Sequence, residues 1–97
     1  MKINSISIVI PILNEEKNLI KLTNEIKKIK KKLKIKNFEL IFVDDNSSDN
    51  SKIILQNLSL KNKFLRFYIR KATDRDLSKS CIVGFEKSKY ENILVMD

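Results

Sequence analysis

Acidic and polar side chains follow apolar stretches of this sequence at positions where they could form a binding site. Asp44 and Asp45 come directly after the apolar run at residues 38–43. The segment at residues 11–15 and the residue Asp97 follow the first and last apolar runs in the same way. Carboxylates can accept hydrogen bonds from ribose hydroxyls or a base N–H, and a pair of them can hold a hard cation that bridges phosphate oxygens.

The apolar runs are too short for helices of their own and predict buried strands. Strands are expected at residues 5–10, 38–43, 64–69 and 92–96. Pro11 is expected to end the first strand, because proline cannot donate to a sheet ladder. Arg66 interrupts the third strand, which is therefore expected near an edge of the sheet.

Apolar residues three and four positions apart predict helices between these strands. Asn14 is expected to cap a first helix of about five turns, with Glu15 and Glu16 in its first turn. Its apolar stripe comprises Leu19, Leu22, Ile26, Ile29 and Leu33. A second helix is expected at residues 49–60, and its inward residues are Ile54, Leu55 and Leu58.

A third helix is expected to begin after Asp76, whose side chain can cap it. The predicted buried side of this helix comprises Leu77, Cys81, Ile82 and Phe85. Gly84 lies on or near that side. A glycine inside a helix costs up to about 1 kcal/mol relative to alanine, so it indicates close packing.

The order of elements is thus β-α-β-α-β-α-β, which predicts an α/β fold. The sheet is expected to be mostly parallel, with right-handed crossovers and helices on both faces. Ligands of open α/β sheets bind at the carboxyl ends of the strands. If the first, second and fourth strands are neighbours, residues 11–15, Asp44, Asp45 and Asp97 converge on one crevice.

The composition limits the possible classes of protein. The chain has 97 residues, 42% of them hydrophobic, which is enough for one domain or part of one with a thin core. Cys81 is the single cysteine, so no disulfide framework is expected and a reducing compartment is the default. No signal peptide and no apolar stretch of about 20 residues is present. The absence of His, GxGxxG and P-loop motifs argues against His-based nucleophile pairs, dinucleotide oxidoreductases and P-loop NTPases.

The chain is basic, with 20 Lys and Arg residues against 12 Asp and Glu residues and a net charge of +8. Seven lysines lie at residues 27–36. This charge is compatible with three partners: nucleic acid, an anionic membrane surface and a phosphorylated substrate. The alternative explanation is a general compositional bias of the chain toward Lys, Ile and Asn. Nucleic acid is the less favoured partner, because no aromatic residues alternate with these lysines.

The motifs together resemble those of family 2 glycosyltransferases. Residues 8–19 resemble the opening motif of that family, and residues 43–51 resemble its acid pair before a small-residue turn. Residues 76–85 and 93–97 resemble the segment that leads into its Asp-x-Asp motif. The subgroup that this set is most similar to is the polyprenyl-phosphate (dolichol-phosphate) mannosyl- and glucosyltransferases.

This resemblance implies half of a GT-A (Rossmann-like) fold that binds a nucleotide sugar. The implied nucleotide-sugar-binding residues are Pro11, Leu13, Glu15, Val43, Asp44, Asp45 and Asp97. Asp44 would contact the base or ribose region, and Asp97 would match the first Asp of the Asp-x-Asp motif, an incomplete site for Mg²⁺ or Mn²⁺. The acceptor phosphate would attack the anomeric carbon and invert it, and no catalytic residue is assigned within the chain.

The sequence departs from the family pattern at three positions. Leu13 stands where the subgroup often has an aromatic residue, and Asp76 stands where many members have Gly. The chain stops at Asp97, so we expect an amino-terminal part, residues 1–97, that is truncated at the Asp-x-Asp motif and inactive alone.

The expected parent enzyme transfers a hexose from GDP-mannose or UDP-glucose to a polyprenyl or dolichyl phosphate. We expect it in the cytoplasm, at the cytoplasmic face of the membrane, with peripheral contact to anionic lipid. Alternatives are a family 2 enzyme with a saccharide acceptor, and a basic module that binds nucleic acid or anionic lipid without enzymatic activity. A sugar nucleotidyltransferase is disfavoured, because no Gly-rich loop follows the first strand.

Overall fold

Strands and helices alternate along the chain, as the sequence predicts. The computed structural model describes residues 4–71 and 76–96. The strands are β1 (Ser5–Ile12), β2 (Asn37–Asp44), β3 (Leu65–Ile69) and β4 (Ile93–Val95). The helices are α1 (Leu19–Leu33), α2 (Ser51–Lys61) and α3 (Leu77–Lys87).

The described strands form one parallel sheet in the order β3-β2-β1-β4. The two central strands pair over their full length, from Ser5 opposite Asn37 to Ile12 opposite Asp44. The predicted α/β fold is confirmed, and so is the edge position of β3. The first, second and fourth strands are neighbours, which was the condition for the convergence of their polar residues. The carboxyl ends of β1 and β2 therefore lie side by side.

Side chains alternate between the two faces of the sheet, and each face is covered by helix. Ile10 and Phe42 belong to the larger core cluster, which α1 and α2 cover through Leu19 and Leu55. Val9, Ile41 and Val43 form the core on the opposite face, where Val83 of α3 packs against them. The prediction of helices on both faces is confirmed.

Pro11 does not end the first strand, which continues to Ile12. The hydrogen bonds explain why the proline is tolerated. The Ser7 N–H donates to Asn92 O, and Val9 O accepts from Met96 N, so every second residue of β1 bonds to β4. Pro11 belongs to that set, but the β1–β4 pairing ends at Val9. Its missing N–H therefore removes no bond from either ladder.

Helix α1 begins later and is shorter than predicted. It starts at Leu19 and has 15 residues, about four turns, so Asn14 is not its N-cap and its first turn holds no acid. The predicted stripe is buried at Leu19 and Ile26, but Ile29 and Leu33 are 44% and 57% exposed. Neither of these two side chains belongs to the core cluster that the first half of α1 covers.

Helix α3 buries a different side from the one predicted. Its buried residues are Ser80 and Gly84, and its N-cap Asp76 accepts from Ser78 N, as expected for a capping aspartate. Leu77, Ile82 and Phe85 are exposed, and Cys81 is only partly buried. The helix approaches the sheet along its small residues, because a Cβ at Gly84 would overlap the Val9 side chain. The prediction of close packing at Gly84 is confirmed.

Candidate functional site

Two loops meet at the carboxyl edge of the sheet, and we call them loop 1 (residues 13–18) and loop 2 (residues 45–50). They follow β1 and β2, which are neighbours. Each loop contains an asparagine with positive φ, 53° at Asn14 and 62° at Asn46. Asparagine tolerates this left-handed conformation better than most residues, which permits both tight turns.

Asn14 links the two loops. Its Oδ1 accepts from Ser48 N at 2.8 Å and from Asp49 N at 3.2 Å. Its own N–H donates to Ser47 Oγ at 2.8 Å. Asn14 therefore satisfies backbone donors ahead of α2 rather than capping α1, which corrects the role that the sequence suggested for it.

The acids after Asn14 add further bonds between the loops. The Glu15 N–H donates to Ser51 Oγ at 3.0 Å, and the Glu16 N–H donates to Asp49 Oδ2 at 3.2 Å. Glu16 Oε2 in turn accepts from Asn50 N at 3.2 Å. Loops 1 and 2 are thus cross-linked into one unit by side chains from both.

These bonds also affect the acidity of Asp49. Desolvation raises the pKa of its carboxyl, but hydrogen bonds from Ser51 and from the Glu16 N–H outweigh that effect, so the pKa lies below its ordinary value. Asp49 Oδ1 accepts from Ser51 N at 2.9 Å, in the first turn of α2. The carboxylate is therefore held in its charged, accepting form.

Asp44 is buried at the base of loop 2, and both of its carboxylate oxygens are occupied. Oδ2 accepts from Ser47 N at 2.9 Å, and Oδ1 accepts from the Ser47 hydroxyl. Its backbone carbonyl accepts from Arg70 N at 2.8 Å. Asp44 thus closes an Asx-type turn, and its side chain is 0% exposed.

Asp45 is buried as well, but one of its oxygens has no partner. Oδ1 accepts from Arg70 Nη1 at 2.6 Å, whereas Oδ2 has no hydrogen bond within the described residues. Buried polar atoms are nearly always paired, so this oxygen is an exception within the site. Arg70 also donates to Asp76 O at 3.0 Å, which connects α3 to the site.

Arg70 is one site residue that the sequence did not single out, since the segment after β3 is typical of a polar loop. Its position was a usable signal, because Arg70 directly follows β3 at the same edge of the sheet as Asp44 and Asp45. An arginine there is well placed to neutralise a buried carboxylate.

A cavity of about 300 Å³ lies beside loop 1, between β1 and α1. Its lining residues are Ile10, Pro11, Ile12, Glu15, Asn18, Leu19, Lys21, Leu22 and Glu25. Its volume is at the lower end of the range of about 300–1,000 Å³ that is usual for small-ligand sites. The structure thus brings the predicted residues Pro11 and Glu15 together in one cavity and adds Lys21 and Glu25, which the sequence did not single out.

The other predicted residues lie around this cavity or outside the described residues. Leu13 is partly buried in loop 1, and Val43 is fully buried under α3. Asp44, at the end of β2, and Asp45, the first residue of loop 2, lie next to the end of β1 that lines the cavity, because Ile12 pairs with Asp44. Asp97 lies outside the described residues.

The expected Mg²⁺ or Mn²⁺ site depends on Asp97, which is not among the described residues. No group of three or more Asp, Glu, Cys or His side chains among them is arranged to hold a metal ion. Asp44 uses both carboxylate oxygens within loop 2, and Asp45 uses one for Arg70. Within residues 4–71 and 76–96, no helix combines the length and the apolar character needed to cross a bilayer.

Comparison with known proteins places these features in a family context. Residues 7–97 match the family described as Glycosyl transferase family 2. The dolichol-phosphate mannosyltransferase of Pyrococcus furiosus is 34% identical over 92 residues, 95% of this chain and 25% of that protein. The dolichol-phosphate mannosyltransferase of Saccharomyces cerevisiae is 32% identical over 91 residues, 94% of this chain and 34% of that protein.

A further transferase and a solved structure are also similar to this chain. The undecaprenyl-phosphate 4-deoxy-4-formamido-L-arabinose transferase of Proteus mirabilis is 49% identical over 55 residues, 57% of this chain and 17% of that protein. The crystal structure of S. aureus TarS superposes with a TM-score of 0.77 and 25% identity, over 96% of this chain and 16% of that chain. This chain thus spans between 16% and 34% of the length of these four proteins.

Proposed function

Because the chain belongs to glycosyl transferase family 2, we propose that residues 1–97 are the nucleotide-sugar-binding part of a glycosyltransferase. The proposed reaction transfers a hexose from a nucleotide sugar to a polyprenyl or dolichyl phosphate at the cytoplasmic face of a membrane. The names of the three matched transferases support this acceptor class, since each contains a polyprenyl or dolichol phosphate.

The observation that carries the proposal is the unit formed by loops 1 and 2. Asn14 hydrogen-bonds across it, so two segments some 30 residues apart in the sequence form one rim at the carboxyl edge. This edge is where open α/β sheets bind nucleotides. The cavity beside loop 1 offers the Glu15 carboxylate, whereas Asp45, the first residue of loop 2, is buried. The exposed Glu15 carboxylate can accept from ribose hydroxyls or a base N–H.

In the proposed reaction, an oxygen of the acceptor phosphate attacks the anomeric carbon of the hexose. The bond from that carbon to the donor diphosphate breaks, the nucleoside diphosphate leaves, and the configuration inverts. The residues described here bind and orient the donor, and none is assigned to the chemical step. Asp97 is the proposed ligand of Mg²⁺ or Mn²⁺ in the complete enzyme, and such an ion would balance the charge of the leaving diphosphate.

Nucleotide binding tests this proposal directly. We expect GDP or UDP to bind the ¹⁵N-labelled chain saturably, with chemical-shift changes in loops 1 and 2 and around the cavity. Glu15→Gln is expected to weaken binding roughly three- to tenfold, because it replaces a charged hydrogen-bond acceptor with a neutral one. Glu91→Gln, an exposed acid before β4, is the matched control and is expected to leave binding unchanged.

The absence of saturable binding of either nucleotide would contradict the proposal, as would equal effects of the two variants. Assays with GDP-mannose or UDP-glucose then separate the acceptor classes, since polyprenyl phosphate and saccharides can be offered side by side. We expect the 97-residue chain to bind donor without turnover, and product formation by this chain would overturn that expectation.

A further inference from the structure

A second cavity, of about 350 Å³, lies at the opposite end of the sheet from loops 1 and 2. Its lining residues are Lys30, Lys36, Phe38, Glu39, Lys63, Phe64, Arg66, Lys89 and Tyr90. We call it the basic cavity. Strand β1 has eight residues, so the basic cavity is separated from the carboxyl edge by roughly 25 Å. It is therefore distinct from the proposed donor site.

The basic cavity has an excess of positive charge. Glu39 is the only acid among its lining residues, and its carboxylate already accepts from Arg66 and from Ser7 Oγ, with the Lys89 N–H as a further donor. That ion pair cancels one acid against one base. The remaining four cations, Lys30, Lys36, Lys63 and Lys89, form no ion pair within residues 4–71 and 76–96.

Most other lysines at this end have a simpler explanation. Lys31, Lys32, Lys61 and Lys87 lie in the last turns of the three helices, as does Lys30 of the basic cavity, and cations there offset the negative end of the helix dipole. Lys36, Lys63 and Lys89 lie outside the helices, and Lys36 directly precedes β2. They come from three separate segments of the chain, so their convergence on one concavity follows from the tertiary structure.

Aromatic rings give the basic cavity a rigid wall. Phe38 and Phe64 pack edge to face, with centroids 5.7 Å apart. The Lys30 ammonium lies 5.8 Å from the centroid of Phe64, a cation–π distance that holds this side chain at the rim. The cavity thus combines a fixed apolar wall with four unpaired ammonium groups, which matches the chemistry of a ligand that carries several negative charges.

We propose that the basic cavity is a binding site for a small soluble anion with two or more phosphate groups. Four ammonium groups can contact two or three phosphates at once, and an ammonium is a strong, flexible phosphate donor. The volume matches such a ligand and is small for a folded macromolecule. The proposal is independent of the donor site, since the two sites share no lining residue.

Calorimetric titration of sodium tripolyphosphate into the 97-residue chain tests this proposal. We expect saturable binding that weakens as the salt concentration rises from 50 to 200 mM. In an NMR titration of the ¹⁵N-labelled chain with the same anion, we expect chemical-shift changes at Phe38, Phe64 and Lys89. The double variant Lys36→Ala/Lys63→Ala is expected to weaken binding at least about tenfold, because it removes two charged hydrogen-bond donors. The control Lys28→Ala/Lys32→Ala removes the same charge from exposed positions of α1 and is expected to weaken binding less than about twofold.

Circular dichroism establishes that both double variants remain folded. Equal weakening by the two variants would overturn the proposal, because binding would then follow net charge alone. Shift changes confined to loops 1 and 2, or a titration that does not saturate, would overturn it as well.

Vesicles of phosphatidylcholine and phosphatidylglycerol separate a soluble ligand from a lipid surface, since both present phosphate. We expect the two double variants to bind such vesicles equally. Vesicle binding that is lost only in Lys36→Ala/Lys63→Ala, without saturable tripolyphosphate binding, would assign the basic cavity to lipid headgroups and overturn a soluble ligand.

Discussion

Individual side chains in this protein act mainly by satisfying hydrogen bonds between segments that are distant in the sequence. Asn14 joins loop 1 to loop 2, and Glu39 joins β2 to Arg66 on β3 and to the segment after α3. Each has a polar side chain, and the residues next to it in the sequence do not indicate which distant group it will hydrogen-bond. Their loss is expected to affect the two ends of the sheet separately.

Asn14→Ala is expected to lower the free energy of unfolding by about 1–2 kcal/mol. Alanine supplies no acceptor for Ser48 N and Asp49 N, and it is strained at a φ of 53°. Asn14→Gly keeps the left-handed conformation, so its smaller loss isolates the contribution of the hydrogen bonds. Urea unfolding measures both variants, and unchanged hydrogen exchange at Ser48 and Asp49 in Asn14→Ala would contradict the linking role.

Glu39 is expected to make stability depend on pH. Desolvation raises its pKa, but hydrogen bonds from Ser7, the Lys89 N–H and Arg66 outweigh that effect, and the pKa lies below 4.5. A carboxyl with a lowered pKa contributes stability above its unfolded pKa and loses that contribution as the pH falls through the folded pKa.

We therefore expect Glu39→Gln to be less stable than the parent by about 1–3 kcal/mol at pH 7, with a smaller difference at pH 3. Urea unfolding at the two pH values measures this difference. Glu86→Gln, an exposed acid of α3, is the control. A difference that is equally large at both pH values would show that the Glu39 charge does not contribute.

At the scale of elements, the fold depends on how closely each helix approaches the sheet. Helices α1 and α2 pack through large side chains such as Leu19 and Leu55. Helix α3 packs through Ser80 and Gly84 and leaves Leu77, Ile82 and Phe85 exposed. This is why an apolar stripe identified two of the three buried helix faces but misidentified the third.

Gly84→Ala tests the close approach of α3. Alanine is the better helix former by about 1 kcal/mol, but its Cβ would overlap Val9, so we expect a net loss of about 1–3 kcal/mol in the free energy of unfolding. In a Val9→Ala background the same substitution is expected to cost less, because the overlapping methyl groups are gone. A Gly84→Ala variant that is more stable than the parent would contradict this packing.

At the scale of the whole molecule, the two ends of the sheet carry different chemistry. The carboxyl edge gathers the acids of loops 1 and 2 with Asp44 and Arg70, whereas the amino edge gathers the unpaired lysines of the basic cavity. This separation follows from the parallel topology, which places every strand start, and every helix end, at one edge. A net charge of +8 therefore does not describe a uniformly basic surface.

The sequence by itself determined the order of elements, the α/β class, the edge position of β3, the close contact at Gly84 and the family resemblance. These follow from local apolar patterns and ordered motifs, which depend on residues near one another in the chain. The same local patterns placed the start of α1 too early and the end of β1 too soon, because the bonds that decide both come from other strands and loops.

Only the tertiary structure decided which polar residues meet. It paired Asp45 with Arg70, used Asn14 to connect loops 1 and 2, and brought four unpaired lysines around two phenylalanines. Each of these contacts joins segments that are distant in the sequence. Such contacts depend on strand order and register, which bring distant segments together and leave no periodic signal in the sequence of either one.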